Sequence, residues 1–111
     1  MVNQYLKIGF HQEAERALQG IHSLNASIVQ TRLLIAKEQY RKALDVIQDA
    51  IDQFGSSDAS YLLALWELAR VYSLQQRVRN TNRTLDEIVD IDANFRSLEI
   101  LLWREALQLL D

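Results

Sequence analysis

Tyr40-Arg41-Lys42-Ala43-Leu44-Asp45-Val46-Ile47-Gln48-Asp49-Ala50-Ile51-Asp52-Gln53-Phe54 is the stretch that decides the fold. Tyr40, Ala43, Leu44, Ile47, Ile51 and Phe54 recur at three- and four-residue intervals, the period of one face of an α-helix. Gly55 then offers a C-terminal stop, and Ser56-Ser57-Asp58 offers capping residues for the element that follows. Working outward, the same alternation of periodic segment and short break covers the chain. Short helices are predicted over about 2–8 and 11–22, the second with Ala14, Ala17, Leu18 and Ile21 on one face. Ser23 and Asn25 are placed to accept from free amides at the start of a helix over about 25–37. Further helices are predicted from the Gly55–Asp58 break to about 75, over 78–91, and over 94–110, with Asp at 90–92 as the cap of the last. The connections are too short for anything but antiparallel neighbours.

Composition agrees. Among 111 residues, proline is absent and glycine occurs three times, so little interrupts segments rich in Ala, Leu, Gln, Glu and Arg, which form helices readily. Hydrophobic residues at 49% and charged residues at 24% describe one globular domain. The fold class is therefore all-α. A formal charge of −3 gives no long-range pull toward nucleic acid or anionic lipid. Cysteine is absent, which excludes disulfides and thiolate metal sites. No apolar run has the roughly 18–20 residues needed to span a membrane, and Met1-Val2-Asn3-Gln4-Tyr5-Leu6-Lys7 lacks a secretion signal. A cytoplasmic protein is the expectation.

The chain also repeats itself. Ile8-Gly9-Phe10-His11-Gln12-Glu13-Ala14 parallels Lys37-Glu38-Gln39-Tyr40-Arg41-Lys42-Ala43, and an alanine followed three residues on by tyrosine also appears, as Ala69-Arg70-Val71-Tyr72. With Ala14, Ala43 and Thr81 as equivalent small residues, Leu18, Ile47 and Leu85 match four positions later, and Ile21, Ala50 and Ile88 match after that. These residues resemble the tetratricopeptide repeat, whose paired helices, A then B, carry small residues where they cross. The resemblance covers essentially the whole chain. It departs from the family in spacing, 43−14 = 29 and 81−43 = 38 against the usual 34, and in lacking the proline after helix B. It implies antiparallel helical hairpins stacked as a short right-handed α-solenoid of about three repeats over residues 1–111, a segment of a longer repeat array. It also implies that the chain binds another protein.

On that alignment Arg32, Arg70 and Arg104 hold the same position in three successive A helices, a position that faces the concave groove in this family. Ile28, Leu63, Trp66 and Glu67 lie at neighbouring groove positions. Guanidinium groups along an apolar trough suit the carboxylates of an acidic or amphipathic partner segment, with Trp66 as an apolar anchor. An equally simple reading pairs each arginine with a carboxylate of its own chain. Domains of this family that hold the acidic C-termini of heat-shock chaperones use lysine, asparagine and arginine at set groove positions. Asn3 matches one of them; Val29, Leu63 and Glu67 do not match the others.

Nothing in the chain reads as a catalytic centre, and no cofactor or metal is expected. His11 and His22, eleven residues apart on a helix, lie about 16 Å apart, too far to share one ion. Asp90-Ile91-Asp92-Ala93-Asn94 starts like a calcium loop but has Phe95 and Leu101 where glycine and glutamate are required. Arg77, Arg79 and Arg83 are interspersed with acids and read as a solvated turn rather than a nucleic-acid site. The last segment is apolar around most of its circumference: Leu98, Ile100, Leu101, Leu102, Trp103, Leu107 and Leu109 leave only a narrow polar stripe. A helix of that kind needs cover on both sides: from a further helix of a longer protein, from a fold-back within the chain, or from another copy of the domain, a homo-oligomer through the C-terminal helix. Two alternative functions follow: an oligomerisation or structural helical domain of a larger protein, and a regulatory sensor module.

Overall fold

The protein is described by a computed structural model over residues 22–109. The helices expected over 2–8 and 11–22, with Asn3, His11 and Ala14, lie outside the described residues. Five helices follow one another: α1 (Leu24–Ala36), α2 (Tyr40–Phe54), α3 (Tyr61–Leu74), α4 (Val78–Ile91) and α5 (Ser97–Gln108). No strand occurs among the described residues. The apolar stripe of Tyr40–Phe54 sets both ends of α2 where the periodicity put them. The other boundaries move by a few residues. Ser23 caps α1, its Oγ accepting the Ala26 amide at 3.1 Å. Asn25 instead accepts the Ser60 hydroxyl at 2.7 Å, tying the start of α1 to the start of α3.

The largest departure is at α5, which begins at Ser97 rather than near 94. Asp92 does not cap it. Its carboxylate accepts the Asn94 amide at 3.0 Å and its carbonyl accepts the Phe95 amide at 3.1 Å, so 92–95 closes into a turn of its own. Arg96, at φ 45°, ψ 40°, then reverses the backbone before the helix starts.

Residues 37–39 and 75–77 join α1 to α2 and α3 to α4, and each three-residue link folds its two helices into an antiparallel hairpin. The two links are the same structure 38 residues apart. In the first, the Glu38 amide donates to the Ile35 carbonyl and the Gln39 amide to that of Leu34, both at 2.9 Å. In the second, Gln76 donates to Ser73 and Arg77 to Tyr72, again at 2.9 Å. These reverse bonds satisfy carbonyls that the helix end leaves without partners, and they require a left-handed residue between them. Glu38 and Gln76 fill that place, each at φ 60°.

The correspondence extends through both hairpins. Thr31 and Ala69 are buried, as are Ala43 and Thr81, so a small residue holds each of these matching positions of the two hairpins. Both threonines satisfy their hydroxyls locally, Thr31 on the Ser27 carbonyl at 2.8 Å and Thr81 on that of Arg77 at 2.9 Å. Ile47 and Leu85, then Ala50 and Ile88, are buried in register on the B helices. The second hairpin nests on the first: α3 packs against both α1 and α2. Leu24, Ile28, Ile47, Ala50 and Ala64 fill that junction. Leu65, Trp66, Ala69, Leu85, Ile88, Ile100 and Leu107 form the larger cluster that joins α3, α4 and α5. Polar bridges join the helices as well. Gln48 on α2 donates to the Tyr72 hydroxyl at 2.8 Å, and Asp86 on α4 accepts from Arg104 at 2.6 Å.

Candidate functional site

Glu67 lies on α3 between Trp66 and Leu68, in a segment that otherwise turns apolar side chains inward, and its side chain is 1% exposed. Its carboxylate holds two arginines at once. Arg32, arriving from α1, donates Nε–H to Oε2 at 3.2 Å, and Arg70, one turn along α3, donates from Nη1 to Oε1 at 2.7 Å. A carboxylate this deep is tolerated only when charged partners compensate its lost hydration. The arginine side chains keep 31% and 39% of their surface exposed, so the group carries a net positive charge toward solvent. Held from below by one acid, both guanidinium groups are fixed in place before any ligand arrives.

Arg104 is placed differently. It reaches Asp86 on α4, an exposed carboxylate, and does not join Glu67. The three arginines aligned by the repeat thus divide into a pair on one buried acid and a third engaged with the neighbouring B helix. Ile28 is buried against Ile47 and Ala64, and Leu63 is half-buried beside it. They support the wall rather than line an open trough.

Trp66 is buried as well. Its ring meets Trp103 edge-on at 5.1 Å and Phe95 at 6.3 Å, and the Arg96 guanidinium lies over it at 4.7 Å. The anchor position is thus filled from within, by α5 and the turn before it. Between the end of α3 and α5 an open cleft of about 200 Å³ remains, lined by Arg70, Ser73, Leu74 and Trp103. It places a guanidinium and a hydroxyl next to an aliphatic and an aromatic wall. A second cleft, of about 320 Å³, runs between α2 and α3 and is lined by Gln48, Asp49, Ile51, Asp52 and Leu68.

Other groups carry less. Tyr61 donates its hydroxyl to Glu87 at 3.0 Å; burial, that bond, and the charges of Glu87 and Asp52 all push its pKa above the ordinary phenol value. His22 packs on Phe54, with ring centroids at 5.3 Å, and bonds Gln53. No group of three or more His, Cys, Asp or Glu residues is arranged to hold a metal ion among the described residues. Nor is any helix there long and apolar enough to cross a membrane.

Glu67, expected at a groove position, instead lies buried at the centre of the site. One local signal existed: Glu67 and Arg70 are three apart on a helix, close enough to pair. The contact with Arg32, 35 residues distant, depends on how the hairpins nest. No family model matches the chain, and neither a curated protein nor a solved structure matches it.

Proposed function

We propose that this chain is a tetratricopeptide-like interaction module that takes an acidic or amphipathic segment of another protein along the wall carrying Arg32 and Arg70. The observation that carries the reading is the pair of guanidinium groups, about a third exposed, fixed on the buried Glu67 carboxylate. Each carboxylate oxygen takes one arginine, and the net positive charge of the trio faces water. The cleft beside Arg70 adds what a peptide site requires, a charged donor next to an apolar recess. A carboxylate of the partner pairs with Arg70, and an adjacent apolar side chain lies against Leu74 and Trp103. Two hairpins related by 38 residues support the repeat reading, as do the small residues at their matching positions. A sensor for a small ligand is less well supported, since the cleft beside Arg70 is open rather than enclosed.

Peptides that join glutamate to leucine or phenylalanine, and the same peptides with glutamine for glutamate, provide the test by fluorescence anisotropy at low and high salt. The acidic set binds, weakens as salt rises, and loses affinity about tenfold with Arg70→Gln, the scale of one charge-assisted bond. Arg70→Gln leaves the Arg32–Glu67 pair in place, so the domain stays folded. Equal binding of the acidic and amide peptides, or no effect of Arg70→Gln, refutes the reading.

A further inference from the structure

We propose that α5 pairs antiparallel with the α5 of a second copy of this chain, across a two-fold axis. This goes beyond the peptide-binding wall and does not depend on it. α5 has two apolar sides. Ile100, Trp103 and Leu107 turn inward to the cluster shared with α3 and α4. Leu98, Leu102 and Leu109 are 67%, 57% and 87% exposed, and at 100° per residue they fall on the side opposite Ile100 and Leu107. Leu109 follows the helix with its backbone still in helical conformation, which extends the line. Leu101, 55% exposed, flanks it.

Leu98, Leu102, Glu105 and Leu109 are separated by four, three and four residues, the spacing of a coiled-coil seam. That spacing reads the same in both directions. An antiparallel copy therefore sets Leu98 opposite Leu109, an apolar pair, and Leu102 opposite Glu105, so the register matches itself, as a two-fold interface requires. The four leucines present apolar surface on the order of 500 Å², within the range of the largest patch on an ordinary monomer, which is often functional. It falls short of the roughly 800 Å² per partner of a permanent interface. The pair is consequently reversible on dilution. Glu105 is the one charge in the seam, and its own copy faces it from a few residues away. It holds the pair weak.

Light scattering of the whole chain over a dilution series reads the mass directly. Wild type moves from dimer to monomer as it is diluted. Glu105→Leu shifts that midpoint at least tenfold lower in concentration, whereas Leu102→Glu removes the dimer with the helical circular dichroism unchanged, since both positions face water. Orientation is read in this cysteine-free chain by mixing the Leu98→Cys and Leu109→Cys variants under mild oxidation. The mixture crosslinks into a disulfide-bonded pair, and neither variant alone does. A monomer at every concentration for both wild type and Glu105→Leu overturns the proposal and leaves the face to a different partner. So does a dimer that survives Leu102→Glu, or crosslinking of Leu98→Cys with itself.

Discussion

Removing the two arginines from Glu67 one at a time, then together, tests the central feature of this structure. Arg32→Ala deletes one charge-assisted bond, of 3.2 Å, and Arg70→Ala another, of 2.7 Å. A bond of this kind is worth about 1.5–3 kcal/mol when well shielded. Both arginines are about a third exposed, so solvent screens them and about 1 kcal/mol is the expected cost of each single change. The double variant is different in kind. It leaves a carboxylate 1% exposed with neither cation, and an uncompensated charge at that depth costs roughly 3–5 kcal/mol. The two substitutions should therefore be non-additive by about 1–3 kcal/mol. Against a total stability of roughly 5–15 kcal/mol for a domain, that difference is readily measured by urea unfolding. Adding Glu67→Leu to the double variant removes the stranded charge and recovers most of the loss. If the single effects sum to the double within about 0.5 kcal/mol, or if Glu67→Leu fails to rescue, Glu67 is not the shared anchor described here.

The remaining predictions concern the turns, the helix crossings and one phenol. Gln76→Gly, at φ 60°, relieves a left-handed side chain and should raise stability by up to about 1 kcal/mol in thermal or urea unfolding. Gly55→Ala should lower it by about 1–3 kcal/mol, because φ 75° with ψ 179° is a region that only glycine occupies readily, even though an added Cβ meets nothing within 4 Å. Ala43→Leu forces a large side chain into a crossing with no free surface and should cost about 1–3 kcal/mol, read from the same denaturant midpoints. Tyr61 holds its proton more tightly in the folded state than in the unfolded chain. The stability linked to it is fully present below the unfolded phenol value near 10 and is lost as pH rises through the higher folded one. Tyr61→Phe should flatten the alkaline limb of a stability–pH curve; an unchanged limb refutes the assignment.

How much of this the sequence carried depended on distance along the chain. α2 and α4 declared themselves because their apolar stripes are clean and buried on one side only, which is what a periodic pattern reports. The equivalence of Ala43 and Thr81 was readable for the same reason, although the residue types differ. The start of α5 was not, since the carboxylate of Asp92 bonds a backbone amide two residues on and ends one turn before another begins. The turns at Glu38 and Gln76 carry no glycine to advertise their left-handed backbone. The Arg32–Glu67 contact spans two hairpins and leaves no local trace. Trp66 was placed on the correct helix but in the wrong company: the aromatic residues that cover it, Phe95 and Trp103, come from a segment whose docking no local pattern encodes.

One arrangement has a dynamic consequence. α3 touches α1, α2 and α4 and shares the tryptophan cluster with α5, so it cannot unfold while these neighbours stay packed on it. α5 is attached to α4 and to the cluster around Leu65 and Trp66 alone. In such a chain, opening has a preferred direction, from the last helix inward, and α3 is the final element to give way. Amide protons near Ala69 should thus exchange with solvent orders of magnitude more slowly than those near Glu105, in a gradient that follows stacking order rather than helix length.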